Sequence, residues 1–277
     1  MLNTIYYKIL NKKLKHHEFQ YKLGLNINTE EFKPSSNHES YNEPIGICFT
    51  DKDNIIYYLR NGIYIAEIII PDDAHIYKVP YYQWKADKII INKYYPIKDW
   101  DGWNEEVCLE AVDNDYFILR YIPEKFKTKE FYSKVIITNG FALQCIPEEF
   151  KTKELCELTI KNCGYALRYI PKKLKTKELC LLAVKNNGDA LQWIPKKIKT
   201  KELCLLAVEK YNYALKYVPN EFKTEELCLL SVENNGYMLE FVPEEIKTKE
   251  FCKLAIKNCG RALKYVPEEI KTKELCE

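Results

Sequence analysis

The chain has no surplus of charge of either sign. Its 42 basic and 40 acidic residues nearly cancel, and the balance holds on both sides of residue 100, with 13 basic and 12 acidic residues before it and 29 and 28 after it. Non-specific nucleic-acid binding requires excess Lys and Arg that displace counterions from phosphates. We therefore expect no nucleic-acid partner.

Long apolar runs are also missing. Residues 1–19 lack the apolar segment of a secretory signal, and no later stretch has the length of a membrane span. We therefore expect an intracellular protein without a membrane span. In a reducing compartment, its 11 cysteines are expected to pack as thiols and not to form a disulfide framework.

Motifs typical of catalysis are absent as well. The sequence contains no Gly-rich phosphate loop, no Cys-x-x-Cys pair and no Gly-x-Ser-x-Gly elbow. His16, His17 and Glu18 are adjacent, so they cannot converge on one metal from a single helix face. His38 and His75 stand in unrelated contexts. We predict structural or exposed histidines, no cofactor, no metal and no enzymatic activity.

The chain does contain an internal repeat of 24 residues. The repeat is marked by Pro123, Pro147, Pro171, Pro195, Pro219, Pro243 and Pro267. Each copy reads approximately T-K-E-L-C-L-L-A-V-K-N-N-G-Y-A-L-K-Y-V-P-E-E-I-K, and such periodicity is typical of a solenoid. Residues 104–277 hold seven copies and the start of an eighth at Thr272, whereas residues 1–100 form a separate domain.

One copy, Thr176–Lys199, predicts a helical hairpin. Thr176 is a suitable N-cap for a first helix, which should end near Gly188 because glycine supplies a left-handed C-cap. A second helix should carry Leu191 and end at Pro195. A short polar turn then follows, with one large apolar residue under it.

Three positions of the repeat are predicted to form the core. A cysteine ladder is expected from Cys108, Cys156, Cys180, Cys204, Cys228, Cys252 and Cys276, with Tyr132 in the missing place. The second helix carries Leu119, Leu143, Leu167, Leu191, Leu215, Leu239 and Leu263, and an aromatic residue follows two positions later in all copies except the one with Cys145. We assign both the leucine and the aromatic position to the core.

Two other positions change from copy to copy and are candidates for binding. The first position holds Phe117, Phe141, Tyr165, Asp189, Tyr213, Tyr237 and Arg261. The second holds Arg120, Gln144, Arg168, Gln192, Lys216, Glu240 and Lys264. Residues three apart share a helix face, so these fourteen side chains are predicted to form a ribbon that binds a protein partner. Drift on a solvated surface without a partner would produce the same pattern.

The first hundred residues predict a mixed α+β domain. The β-branched segment 63–70 is typical of a buried strand with a turn at Pro71–Asp73, and a second strand is expected at 88–92. For 50–62, a helix capped by Thr50 or Asp51 is favoured over a hairpin. The segment Gly46–Thr50 could line a ligand cleft, although an ordinary core strand is the preferred interpretation.

The A-L-x-Y-V-P and L-C-L-L-A-V segments of 104–277 resemble a short helical repeat of unknown function found in giant DNA viruses of amoebae and in bacteria that live with amoebae. The motifs Phe19–Asn26, Gly46–Thr50, Ile70–Ala74 and Trp84–Ile90 resemble the domain that precedes ankyrin and other arrays in Mimivirus-type proteins. These resemblances imply an intracellular viral protein, in the host cytoplasm or in the virion, with a common front domain and exchangeable binding modules.

Three functions follow as alternatives. The favoured one is a non-enzymatic scaffold or adaptor whose repeats bind a host or viral protein. The second is a diverged NAD-dependent transferase, because Gly46–Thr50, a following helix and the 63–70 strand resemble a strand region of ADP-ribosyltransferases. The family's His or Arg on the first strand and its catalytic Glu have no clear match here. The third is a structural virion component.

The C-terminal end lacks a distinctive capping repeat. The sequence ends at Glu277, within the eighth copy, and the last complete copy resembles an internal one. Terminal repeats usually carry a polar outer face. We therefore expect this end to fray or to be covered by a second molecule.

Overall fold

The computed structural model describes residues 5–16, 19–28, 46–79 and 83–272. The chain divides into two compact units, Met1–Val135 and Ile136–Glu277. The first unit holds the strands, the first repeat and the beginning of the second, and the second unit holds the remainder of the described repeats. The expected change from strands to repeated helical units is confirmed.

The described part of the first unit contains nine strands. Their bounds are Tyr6–Leu10 (β1), Lys15–His16 (β2), Phe19–Gln20 (β3), Gly24–Ile27 (β4), Ile47–Phe49 (β5), Tyr64–Ile69 (β6), Ile76–Val79 (β7), Gln83–Ala86 (β8) and Lys88–Pro96 (β9). They pair antiparallel as a four-stranded sheet β1-β6-β9-β4, a three-stranded sheet β5-β8-β7 and the hairpin β2-β3. The pairing of β6 with β9 shifts register between Glu67 and Ile68.

One apolar cluster joins the two larger sheets. Leu10, Ala66 and Ile68 of the four-stranded sheet pack in the same cluster as Ile47 and Phe49 of β5. Four successive residues of β6, from Ile65 to Ile68, are buried, so both faces of this central strand are covered. The predicted strand at 63–70 is confirmed, as is the strand at 88–92, which continues to Pro96.

The segment between β5 and β6 is helical, as favoured, and not a hairpin. It is a 3₁₀ helix, Ile55–Asn61, and three of its apolar residues are buried. The predicted N-cap was wrong, because Asn54 occupies that position while the Asp51 carboxylate accepts hydrogen bonds from the backbone and the side-chain amide of Asn54. The predicted turn after β6 is confirmed by the Ala74 amide, which donates to the Pro71 carbonyl at 3.0 Å.

The first repeat packs on this strand region within the first unit. A short 3₁₀ turn, Ile97–Asp99, leads into it, and the Trp103 indole donates to the Ile97 carbonyl at 2.8 Å. The Tyr57 hydroxyl of the 3₁₀ helix donates to Glu110 of the first repeat helix at 3.0 Å. These contacts cover the outer side of the first repeat helix, which otherwise has no preceding repeat.

Each described repeat has one α-helix and two 3₁₀ helices. The α-helices are Glu105–Asn114 (α1), Lys129–Thr138 (α2), Lys153–Asn162 (α3), Lys177–Asn186 (α4), Lys201–Lys210 (α5), Glu225–Asn234 (α6) and Lys249–Asn258 (α7). The longer 3₁₀ helices are Tyr116–Arg120, Gly140–Cys145, Gly164–Tyr169, Gly188–Trp193, Asn212–Tyr217, Gly236–Phe241 and Gly260–Tyr265. After each proline come Glu124–Phe126, Glu148–Phe150, Lys172–Leu174, Lys196–Ile198, Asn220–Phe222, Glu244–Ile246 and Glu268–Ile270.

Local sequence explains where these helices begin and end. The Thr176 hydroxyl accepts from the Leu179 amide at 3.2 Å, which confirms the predicted N-cap. The helix ends at an extended residue, Asn187, whose side chain accepts from the Asp189 amide at 2.9 Å and so begins the 3₁₀ helix. The predicted second helix is therefore a tight 3₁₀ helix that ends before Pro195.

The predicted role of the glycine as a left-handed C-cap was wrong. Gly24 and Gly46 are the described glycines with positive φ, and neither belongs to a repeat. A Cβ on Gly164 would lie 2.5 Å from the Ala183 carbonyl oxygen of the next repeat, and one on Gly188 would overlap the equivalent oxygen of Ala207. At Gly164 and Gly188 the backbone of the next repeat approaches too closely for a side chain, although Tyr116 and Asn212 occupy the same position in other copies.

The expected cysteine ladder is confirmed in the described repeats. Full burial is found for Cys108, Cys156, Cys180, Cys204, Cys228 and Cys252, while Cys276 lies outside the described residues. These thiols are free, and burial raises the pKa of Cys180 and Cys204 to about 11. Tyr132 fills the missing place and is 1% exposed. Protonated, apolar thiols of this kind serve packing and not catalysis.

Candidate functional site

The fourteen side chains of the predicted ribbon lie at or near the surface. Those classed as exposed are Phe117, Arg120, Phe141, Arg168, Tyr213, Lys216, Glu240, Arg261 and Lys264. Those that are half-buried are Gln144, Tyr165, Asp189, Gln192 and Tyr237. Phe117 and Arg120 belong to the first unit and the other twelve to the second.

The 3₁₀ helix brings the two variable positions of one repeat together. With three residues per turn, side chains at i and i+3 lie one above the other. The Arg168 guanidinium lies 5.7 Å from the Tyr165 ring centre, and the Arg120 guanidinium lies 5.3 Å from the ring centre of Phe117. These are cation–π distances.

Contacts also run from one repeat to the next within the second unit. The rings of Phe141 and Tyr165 lie 6.0 Å apart. Lys264 donates to the Tyr237 hydroxyl at 3.2 Å, and its ammonium lies 4.9 Å from that ring centre. Hydrogen bonding with Tyr265 and Lys264 lowers the pKa of Tyr237. Tyr213 instead stacks on Tyr211, a residue outside the predicted ribbon, at 5.4 Å.

Sequence reasoning missed a third component of this surface. The aromatic position was assigned to the core with the leucine, but the leucine is buried in every copy except the last described one, as at Leu191 with 0% exposure, whereas the aromatic position is not. The aromatic position is half-buried in Tyr121, Tyr169, Trp193, Tyr217, Phe241 and Tyr265, as is Cys145. Arg168 lies 4.8 Å from the Trp193 ring centre, and Lys216 lies 5.8 Å from that of Phe241.

A signal for this component was present in the sequence. From Tyr169 onward, each aromatic residue stands 25 positions after the second variable position of the preceding copy. In the structure, Tyr265 donates to the Glu240 carboxylate at 2.7 Å with this spacing. We call the twelve ribbon residues of the second unit and its aromatic residues from Tyr169 to Tyr265 together the aromatic–basic row.

A shallow cavity of about 620 Å³ lies beside this row in the second unit. Phe141 and Tyr165 of the row line it together with Cys163, Asn162 and Asn186. The Asn186 amide donates to the Ile160 carbonyl, so it connects successive repeats. The cavity is therefore a groove between neighbouring repeats, lined by two aromatic rings and by asparagine amides.

The Gly46–Thr50 segment is used for packing in the first unit. Ile47 and Phe49 are 3% and 4% exposed, and the Cys48 carbonyl accepts from the buried Lys8 ammonium at 2.6 Å. Thr50 exchanges backbone hydrogen bonds with Tyr7. This is the geometry of an ordinary core strand, the interpretation preferred from the sequence.

The histidines form no ligand cluster in the part that the structure describes. His75 is exposed and pairs with the Asp87 carboxylate at 3.0 Å, while His17, Glu18 and His38 lie outside the described residues. No group of three or more His, Cys, Asp or Glu residues among the described ones is placed to hold a metal ion. No helix in the described ranges is long and apolar enough to cross a membrane.

Comparisons with known proteins agree with this architecture. A family model described as a domain of unknown function, DUF4116, matches residues 104–151, 128–175, 152–199, 176–223, 200–247 and 224–271. The matches advance by 24 residues, the period of the repeat. No solved structure matches the chain.

Two similar proteins come from Acanthamoeba polyphaga mimivirus. Uncharacterized protein R869 is 35% identical over 102 residues, which cover 36% of this chain and 72% of that protein. Putative ankyrin repeat protein R868 is 40% identical over 73 residues, which cover 26% of this chain and 35% of that protein. With its repeated matches to one family model over most of residues 104–271, the chain belongs to the DUF4116 family of helical repeat proteins with giant-virus relatives.

Proposed function

We propose that this protein is a non-enzymatic scaffold that binds a host or viral protein through its aromatic–basic row. The viral relatives favour action inside an infected host cell, in the cytoplasm. The observation that carries the proposal is the run of cation–π and ring contacts on the exposed side of the second unit, from Phe141 to Tyr265.

The chemistry of this surface suits protein recognition. Tyr, Trp and Arg are the side chains that most often anchor protein interfaces. Contacts such as Arg168 between the Tyr165 and Trp193 rings hold long side chains in place before binding, which reduces the conformational entropy lost on association. The row can therefore present aromatic rings and fixed positive charges to a partner with a small loss of conformational entropy.

The repeat separates the frame from the variable surface. Residues equivalent to Leu191, Pro195 and Cys180 recur from copy to copy and maintain the fold of the repeat. The row instead changes, for example from Tyr165 to Asp189 in adjacent copies. Such an arrangement allows the surface to vary without loss of the fold. One relative carries the name of an ankyrin repeat protein, another repeat architecture, which is consistent with a scaffold role.

The test is partner capture with the full chain and two matched variants. The row variant carries Tyr165→Ala, Tyr213→Ala and Tyr237→Ala. The control variant carries Lys185→Ala, Glu209→Ala and Lys257→Ala, three exposed changes on the α-helices. Each protein is immobilised and exposed to amoebal lysate, and the retained proteins are identified by mass spectrometry and then remeasured as purified partners.

We expect a partner that binds the wild-type chain and the control variant and is lost from the row variant. Far-UV circular dichroism should show the same helicity in all three proteins. A partner that all three retain equally, or no specific partner, would contradict a binding role for the row. Loss of helicity in the row variant would mean that the tyrosines belong to the core.

A further inference from the structure

Each described repeat buries most of one lysine side chain behind its post-proline turn. The lysines are Lys127, Lys151, Lys175, Lys199, Lys223, Lys247 and Lys271. The side chains of Lys151 and Lys247 are only 8% and 5% exposed. Lysine can bury its alkyl stem, but its ammonium requires polar partners.

A backbone carbonyl of the next repeat provides one of these partners. The ammonium donates to the residue 18 positions later, which ends the longer 3₁₀ helix. The distances are 3.0 Å from Lys175 to Trp193, 2.7 Å from Lys199 to Tyr217 and 2.8 Å from Lys223 to Phe241. The lysine thereby connects two repeats and faces the negative end of a helix.

In four repeats a carboxylate three residues earlier provides the second partner. The pairs are Glu124–Lys127, Glu148–Lys151, Glu244–Lys247 and Glu268–Lys271, at 2.5–3.0 Å. Lys247 makes both contacts at once, at 2.7 Å to Glu244 and at 3.1 Å to the Tyr265 carbonyl. The flanking repeats therefore define where a carboxylate fits beside this lysine.

The central repeats have the same lysine without that carboxylate. Lys172 and Lys196 stand where the flanking copies have glutamate. Burial lowers the pKa of Lys175 and Lys199, and neighbouring Lys172 lowers that of Lys175 further. Glu221 approaches the outer Lys196 at 3.4 Å. Each of these two adjacent turns thus has one mostly buried lysine ammonium and at least one further lysine on its exposed side.

We propose that the turns at 171–175 and 195–199 bind carboxylates of an acidic peptide segment of a partner protein. A carboxylate of the ligand takes the place that Glu148 and Glu244 occupy in the flanking repeats. It accepts from the buried lysine and from the outer lysine of the same turn. This surface is separate from the aromatic–basic row and does not depend on the proposed function.

The repeat spacing sets the spacing of the ligand's acids. Packed helices lie about 8–10 Å apart, so equivalent turns of neighbouring repeats are separated by roughly that distance. A peptide in the polyproline II conformation advances about 3.1 Å per residue with three residues per turn. Glutamates at every third position therefore lie on one face and match the two turns.

Charge complementarity favours a peptide over a nucleic acid. The basic turns span two repeats and are flanked by Glu148 and Glu149 on one side and by Asn220 and Glu221 on the other. A long phosphate backbone that continues past the two turns meets these carboxylates and is repelled. A short acidic segment fits between them.

The test measures fluorescence anisotropy of a labelled nine-residue peptide of the form (Glu-Gly-Gly)₃, titrated with the full chain at low salt. The binding variant carries Lys172→Glu and Lys196→Glu, which rebuild the internal pair of the flanking repeats. The control carries Lys185→Glu and Lys210→Glu, the same change in net charge at exposed helix positions. The row variant is measured as a second control.

We expect the binding variant to lose affinity about tenfold or more, because it loses charge-assisted hydrogen bonds and gains repulsion. It should melt at the same temperature as the wild type or higher, since its buried lysines gain partners. The charge control and the row variant should stay within about threefold of wild type, as rim charges have small effects. If the row variant still binds the peptide, this site does not depend on the row. The failure of this proposal can then be distinguished from the failure of the proposed function.

Three outcomes would overturn the proposal. Equal losses in the binding variant and the charge control would mean unspecific attraction to a cationic protein. Absence of measurable binding by the wild type would exclude an acidic peptide site. A single-stranded RNA of similar charge that binds more tightly, and is lost in the same variant, would assign the turns to nucleic acid instead.

Discussion

The strand-rich region and the helical repeats are stabilised by contacts over different sequence distances. In the strand region, Tyr6 pairs with Ile68, and Lys8 donates to the Cys48 carbonyl 40 residues away. Elements from both ends of the region meet in one apolar cluster. Loss of any central strand therefore removes contacts from all the others.

The repeats use contacts between neighbours. Lys199 reaches the Tyr217 carbonyl 18 residues away, and the Asn186 amide reaches the Ile160 carbonyl 26 residues away. These separations are close to one 24-residue period, so each repeat depends on the copies directly before and after it. A destabilising core substitution is therefore expected to weaken the whole strand region. In the repeats it is expected to weaken mainly the copies next to it.

The largest expected effect comes from removal of a repeat's buried leucine. Leu191→Ala should lower the free energy of unfolding by about 2–5 kcal/mol, because the side chain is fully enclosed by neighbouring repeats. Leu263→Ala, at the same position of the last described repeat, should cost less because Leu263 is half-buried. Urea unfolding followed by circular dichroism measures both. Equal costs would contradict the dependence on both neighbours.

A pH-dependent effect should distinguish the strand region. Burial lowers the pKa of Lys8 to about 8 from an ordinary 10.5. Between pH 8 and about 9 the unfolded chain binds more protons at Lys8 than the folded one, so stability should rise with pH, by about 1 kcal/mol. Urea unfolding at a series of pH values, read by tryptophan fluorescence, measures this rise.

The matched variants for this effect are Lys8→Met and Lys12→Met. Lys8→Met should remove the rise in stability above pH 8, while Lys12→Met, at an exposed position, should retain it. Above about pH 9 the sign should reverse, because burial raises the pKa of Cys108 to about 12 and also raises that of Tyr21, so unfolded thiols and then tyrosines ionise first. A rise that persists in Lys8→Met would assign it to other lysines.

A smaller effect should follow from filling the close approach between repeats. Gly188→Ala should destabilise by about 1–3 kcal/mol, because its Cβ would overlap the Ala207 carbonyl oxygen of the next repeat. Gly260→Ala should be neutral or stabilising by up to about 1 kcal/mol, as no described atom lies within 4 Å of the added Cβ. Thermal unfolding of the two variants compares them, and equal losses would point to a backbone effect instead.

Sequence reasoning was most successful where a feature depends on nearby residues. The N-cap threonines, the ten-residue α-helices and the cysteine ladder follow from spacing within one copy, and the structure has them. The β-branched segment of β6 was also predicted, because a buried strand has a distinctive composition. Strand pairing was beyond reach, since Tyr6 and Ile68 are brought together only by the whole fold.

Three features missed in the repeats depend on the adjacent copy. Glycine at Gly188 is required by a carbonyl of the next copy, not by its own φ angle. The half-buried Trp193 becomes part of the surface because Arg168 of the preceding copy lies over it. Lys199 is held inside by a carbonyl of the next copy. A single copy contains no information about these contacts until the stacking of copies is known.

Native-state hydrogen exchange of two core variants tests the central comparison most directly. Ile68 and Leu191 are both fully buried. We expect Ile68→Ala to reduce amide protection together across β1, β6 and β9, and Leu191→Ala to reduce it mainly within residues 164–217, with smaller losses farther away. Uniform loss across residues 136–272 in Leu191→Ala would contradict a repeat array stabilised by neighbours.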